Sequence, residues 1–447
     1  MRYEEEIHNY VQSHRDEIIN MLKALVKIPS VQSAPEEGAP FGRACAEMLE
    51  YVKSCWQKNG FDTELHQDSG YLLSYYGEGK KSIGLFSHAD VVSVSDDWMF
   101  TDPFDMIEKD GFLIGRGVSD DKAAVVISLY CAKMIKEINI PFNSKLIAFT
   151  GVNEETGMAD IENYVKESTT PDFSLVTDCA FPIYRGDKGI LQFEAVSDTP
   201  FKEVENFSGG KAINITLGQA TAKINGNVIT ETGISCHGAL PEGSVNAGYL
   251  LVKKLCDENL LCKADMEQMK FIERLLERYY GEIFGIDEKD KVFGKLTCTN
   301  GTVRTENGKP ALTFDVRYGL GMDYENIKNK ISEFFRQNGW TVRIISEKRP
   351  YIISEDNAYL QKCLKAYKEF CKTDVAPTYI NAGATYAGAL TCAVETGTDL
   401  YGGKPEGMPE GHGNAHQPDE CINVKGFLDA TELILHMTLE CDTEHSN

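Results

Sequence analysis

At 447 residues the chain is longer than one ordinary hydrophobic core, so two domains are expected. Asp and Glu number 68 against 45 Lys and Arg, and the net charge of −23 argues against nucleic acid or an anionic membrane as partner. The start, Met1-Arg2-Tyr3-Glu4-Glu5-Glu6-Ile7, has no apolar leader and no apolar run reaches membrane-span length, so the expected location is the cytoplasm.

Apolar residues Ile7, Val11, Ile18, Leu22 and Leu25 recur at helical spacing and predict a helix from about Tyr3 to Val26. A second helix is expected from about Phe41 to Lys58, stopped at Gly60. Strands follow at Tyr71–Tyr76 and Ile83–Ser87, then a helix after Asp121, a strand at Lys145–Thr150, a helix near Asp160–Lys166 and a strand at Phe173–Thr177. Strands alternating with helices predict an α/β fold with a mainly parallel sheet sandwiched by helices. After Gly186-Asp187-Lys188-Gly189 the period changes to two, with strands at Ile190–Val196, Thr221–Ile224, Val228–Thr232, Leu312–Tyr318 and Trp340–Ile345. Asn225-Gly226 between two of them is a hairpin turn signal. Residues 187–350 thus read as an inserted α+β domain, with 1–186 and 351–447 forming the first domain.

Three apolar runs of the first domain end in metal-type ligands. His88-Ala89-Asp90 closes one, Asn153-Glu154-Glu155 follows another, and Asp178 closes the third. In open α/β sheets the C-terminal strand edge is where sites are built. Asp120-Asp121 open a helix after Gly115-Arg116-Gly117, and Gly411-His412-Gly413-Asn414-Ala415-His416 lies near the C-terminus. Each motif alone has an ordinary structural explanation. His88 fits a satisfied strand-end histidine, Asp120-Asp121 suit a helix N-terminus, and Glu154-Glu155 suit a solvated loop. Together they suit a metallohydrolase, in which a cation acidifies a water and a carboxylate takes its proton. Neither His-Glu-x-x-His nor Gly-x-Ser-x-Gly occurs, so a zincin or a nucleophile-elbow hydrolase has no support.

The order of these motifs resembles the co-catalytic zinc peptidases that include aminoacylase, carnosinase and bacterial dipeptidase V, over nearly the whole chain. Asp178-Cys179-Ala180-Phe181-Pro182 followed by Gly186-Asp187-Lys188-Gly189 resembles the dipeptidase V branch (PepV). The resemblance implies two Zn2+ ions per chain, with Mn2+ or Co2+ as alternatives. His88 and Asp178 would bind one, Glu155 and His416 the other, and Asp120 would bridge them. Glu154 would be the general base and Asp90 would orient His88. The inserted domain would be a lid, with His237 reaching the oxyanion and Asn214 and Arg317 contacting substrate. Ala382-Gly383-Ala384-Thr385-Tyr386-Ala387 resembles a substrate loop, implicating Gly383 and Thr385.

Two residues depart from that pattern: Ala382 replaces a glycine and Gly388 replaces an arginine. The expected substrate is a small peptide and the expected activity a dipeptidase, in a monomeric chain. An N-acyl-amino-acid deacylase or a carboxypeptidase would need the same ligands and base. A non-catalytic metal-binding protein on the same scaffold would be expected to lose Glu154 or a ligand, and this chain keeps them.

Overall fold

The structure is a computed structural model that describes residues 1–443. The chain divides into two compact units. Met1–Gly186, Ile352–Tyr379 and the chain from Thr385 onward form the first, and Asp187–Tyr351 with Ile380–Ala384 form the second.

The fold is α/β. The centre of the first unit's sheet runs, in spatial order, Lys145–Gly151, Ser82–His88, Phe173–Cys179 and Ala393–Gly397. Each neighbouring pair there is parallel. Tyr71–Tyr76 and then Asp62–His66 extend one side antiparallel. These central strands are apolar on both faces, as a sheet covered by helices requires. The Lys122–Glu137 helix, apolar nearly all round, packs on Ser82–His88 and against the Arg15–Val26 and Val424–Asp442 helices. Register pairs His88 with Gly151 and Phe86 with Val176, so the three strand ends that lead to His88, Glu154-Glu155 and Asp178 emerge at one edge.

The first predicted helix is two, Glu4–Ser13 and Arg15–Val26, separated at His14. The Tyr10 carbonyl keeps its helical bond from His14 N–H at 3.0 Å, and it also accepts from the Ser13 hydroxyl at 2.9 Å and lies 2.8 Å from His14 Nδ1.

The second unit is a seven-stranded antiparallel sheet in the order Asn227–Thr232, Gln219–Ile224, Val204–Gly209, Thr297–Glu306, Lys309–Tyr318, Gly189–Ser197, Trp340–Lys348. Ala247–Asp257, Lys263–Leu276 and Tyr324–Gln337 are its longer helices. One core joins these elements, centred on Phe193 stacked on Phe314 with centroids 5.0 Å apart. Asn225 and Gly226, at φ 49° and 79°, make the expected hairpin turn. The Thr297–Glu306 strand was not among the expected ones, and its Asn300-Gly301 has the composition of a turn. It is a bulge instead, with a register shift between Asn300 and Thr302. Glycine is required there: a Cβ on Gly301 would lie 2.1 Å from the Ile213 carbonyl oxygen. The sequence reading left Ile380–Ala384 with the first domain, yet it groups with the second unit. Hydrogen bonds explain this, since Lys188 N–H donates to Asn381 O and Arg317 donates to Ala382 O. Among the described residues no helix is long and apolar enough to cross a membrane.

Asp265, fully buried at the start of its helix, accepts from the N–H groups of Lys202, Glu203 and Val204 at 2.7, 2.7 and 3.1 Å. Asp265→Ala strips all three donors of their acceptor and should cost about 3 kcal/mol. Urea denaturation followed by the fluorescence of Trp340, in this unit's core, should report a lowered midpoint.

Candidate metal centre

Four segments deliver the cluster. Ser82–His88 ends in His88, and Phe173–Cys179 carries Asp178. Glu154 and Glu155 follow Lys145–Gly151, and Asp120 immediately precedes the Asp121 N-cap of Lys122–Glu137. His416 arrives from the C-terminal loop at φ 65°.

The Asp120 carboxylate is divided between two imidazoles. Its Oδ1 lies 3.0 Å from His88 Nε2 and its Oδ2 lies 3.0 Å from His416 Nε2. On the first side, Asp178 Oδ1 is 3.7 Å from His88 Nε2. On the second, Glu155 Oε2 is 3.0 Å from His416 Nε2. Ligand atoms of His88, Asp120 and Glu155 lie within 4.8 Å of one another, as do those of His88, Glu154 and Asp178. The structure therefore gathers His88, Asp120, Glu154, Glu155, Asp178 and His416 in the first unit.

So many acids in one place perturb each other. Burial, then the Asp120 charge, push the Glu155 carboxyl up to about 7. Burial raises Asp178 to about 6 against the opposing pull of His88. Asp120 is held below the usual carboxylate range: burial alone would raise it, but hydrogen bonds from His416 and His88 win. Burial would likewise lower both imidazoles, yet the surrounding carboxylates raise His88 well above its ordinary value and His416 to about 11.

The residues fit divalent cations. Buried Glu155 Oε1 has no hydrogen-bond partner, which a ligand oxygen awaiting a cation explains. Imidazole nitrogen with carboxylate oxygen is a donor set for zinc, manganese or cobalt.

Other buried acids hold the ligands' backbone. Asp90, expected to orient His88, lies beside it and beside two backbone amides. Its carbonyl oxygen lies 3.1 Å from His88 Nδ1 and its Oδ1 lies 3.4 Å away. Its two carboxylate oxygens also accept from Glu154 N–H at 3.2 Å and Glu155 N–H at 3.1 Å. Asp121 occupies the N-cap position, but its side chain makes no capping hydrogen bond and accepts instead from His88 N–H at 3.2 Å. Asp160 accepts from Asn153 N–H at 2.7 Å and from the buried Tyr386 hydroxyl at 2.5 Å. Sequence reasoning missed the roles of Asp121 and Asp160. Asp121 carried a signal only as half of an Asp-Asp pair, and Asp160 looked like any helix-start acid.

Asn214, His237, Arg317 and Gly383 belong to the second unit, Thr385 to the first. Gly238 joins the first three. Its N–H donates to Asn214 O at 2.7 Å and His237 bridges Ile215. A Cβ on Gly238 would meet Asp315 Oδ2 at 3.2 Å, the oxygen to which Arg317 Nε donates at 2.8 Å. Gly383 N–H donates to the Asn381 side chain at 2.8 Å. The Thr385 hydroxyl donates to buried Glu395 at 2.6 Å and accepts from Ala387 N–H at 3.1 Å, which fixes its loop.

The family model "Peptidase family M20/M25/M40" matches residues 84–440. A Staphylococcus aureus protein named "Putative dipeptidase" is 26% identical over 466 aligned positions, covering 95% of this chain and 97% of that protein. Human carnosine dipeptidase 1 shares the fold at TM-score 0.64 and 16% identity, over 98% of this chain and 99% of its own. The di-peptidase Dug1p of Saccharomyces cerevisiae does so at TM-score 0.65 and 15% identity, over 99% of both chains.

Protons and cations compete for the same imidazole nitrogens. Zinc uptake by the chelated protein should release protons, and its affinity should weaken about tenfold per pH unit for each proton displaced as pH falls. Calorimetry in buffers of different ionisation enthalpy measures that release, and uptake independent of buffer and pH would contradict it.

Proposed function

The chain belongs to peptidase family M20/M25/M40, and from that premise we propose that it hydrolyses the peptide bond of dipeptides with two zinc ions and Glu154 as general base. The observation that carries this reading is the Asp120 carboxylate, whose two oxygens face His88 on one side and His416 on the other. The full-length relative named as a dipeptidase supports the substrate class.

His88 and Asp178 would hold one cation, Glu155 and His416 the other, with Asp120 shared, and cations bound there acidify a water and polarise the scissile carbonyl. Mn2+ or Co2+ would suit the same donors. Glu154 accepts the proton of the attacking water and passes it to the leaving amine nitrogen, so the base is regenerated in each cycle. Asp90 keeps that carboxylate in place through the Glu154 and Glu155 N–H groups, and holds His88 through Nδ1. From the second unit, the lid in this reading, His237 donates to the developing oxyanion and Asn214 and Gly383 contact the peptide. Arg317 binds the substrate carboxylate. Its Nε and Nη1 already donate to Asp315 and Ala382 O, and a guanidinium has five N–H groups, more than those contacts use.

Metal analysis with turnover of several dipeptides, a tripeptide and an N-acetyl amino acid tests the reading. Dipeptides should be cleaved fastest, and preference for the N-acetyl substrate would point to a deacylase instead. Glu154→Ala should retain its metals and lose about 10²–10⁴ in kcat, roughly 3–5 kcal/mol of barrier. Glu155→Ala should lose metal as well, and exchanged phenotypes would reverse the two assignments. His237→Ala should bind metal normally and lose about 10²–10³ in kcat, and near-normal turnover would remove His237 from the chemistry.

A further inference from the structure

One buried ion pair touches both ends of the cluster without contributing a ligand. Glu420 is fully buried and Arg116 is 1% exposed. Glu420 Oε1 accepts from Ser119 N–H at 2.8 Å and Asp120 N–H at 3.0 Å. Its Oε2 accepts from Gly117 N–H at 3.1 Å and Arg116 Nη1 at 2.7 Å. Arg116 Nη2 then donates to the carbonyl of His416 at 3.3 Å. The chain of contacts runs Asp120 N–H, Glu420, Arg116, His416 carbonyl.

We infer that Arg116 and Glu420 are positioning residues that hold the backbones of Asp120 and His416 at the separation two cations need. The inference rests on the two-metal reading above and adds to it which groups set the second site. His88 and Asp178 are fixed by sheet strands, whereas His416 lies in an irregular loop at a positive φ. The site made by His416, Glu155 and Asp120 therefore depends most on the brace. Glu420 suits the task because a carboxylate offers lone pairs for about four donors, the number it meets here. An amide in its place sets an NH2 against two of them. Arg116 suits it because a guanidinium reaches two acceptors in fixed directions, while an ammonium is a single point charge.

The test uses the full chain, stripped with chelator and titrated with Zn2+ by calorimetry, as wild type, Glu420→Gln and Arg116→Lys. Wild type should take up two equivalents. Each variant should keep one equivalent within about threefold and bind the other about 10–100-fold more weakly. At low zinc kcat should fall, excess zinc should restore much of it, and KM should stay within about twofold. Arg116→Lys retains a cation beside Glu420, so it carries the test should Glu420→Gln fail to fold. Variants that bind both equivalents like wild type, or lose both in parallel with cooperative melting of the metal-free chain, overturn the inference. A folded wild type that takes up no zinc overturns the two-metal reading itself, which is a separate result.

Discussion

The shared carboxylate of Asp120 is the constraint on which the first unit turns. One side chain must present one oxygen to His88 and the other to His416, and both distances are 3.0 Å. The two histidines come from opposite ends of the chain, so the fold must bring a strand end and a C-terminal loop to the same residue. Three more acids, Glu154, Glu155 and Asp178, stand around it. Burial is the main reason that the Glu155 and Asp178 carboxyls are raised, and the Asp120 charge adds to it. An imidazolium or a divalent cation inside such a cluster offsets that cost, which makes its electrostatics and its proposed chemistry one problem.

The surrounding structure answers with buried acids that accept backbone N–H groups. Asp90 holds the Glu154-Glu155 turn, Asp121 holds His88, Asp160 holds Asn153 and Glu420 holds Asp120. A carboxylate does this better than a neutral acceptor because charge-assisted hydrogen bonds are shorter and stronger. Such buried contacts differ from pairs like Arg336 with Glu333 on the surface, which solvent screens and which contribute little. The second unit uses the same device where Asp265 gathers three N–H groups and Asp315 fixes Arg317. In that unit tight backbone approaches at Gly238 and Gly301 leave no room for a Cβ, and they bring the Asn214 and His237 segments side by side.

The α/β class, the parallel strands with His and acidic residues at their C-terminal ends and the change of style after Gly186 were legible because hydrophobic periodicity is a local property. The ligand types were legible for a similar reason: a carboxylate or an imidazole declares its chemistry by identity alone. Periodicity hid two local irregularities: the helix is interrupted at His14, and the Thr297–Glu306 strand passes through an Asn-Gly that locally looks like a turn.

By itself the sequence determined which residues could ligate, which stretches could form strands, and that an acid could serve as base. The motif resemblance already pointed to Asp120 as the shared carboxylate, and tertiary structure alone decided that Asp121 turns to the His88 amide. Likewise, it alone tied Arg116 to Glu420 across the chain and grouped Ile380–Ala384 with the second unit. The physical reason is direction. Adjacent side chains of one type are equivalent on paper, and only the folded backbone aims one at a cation site and its neighbour at an N–H.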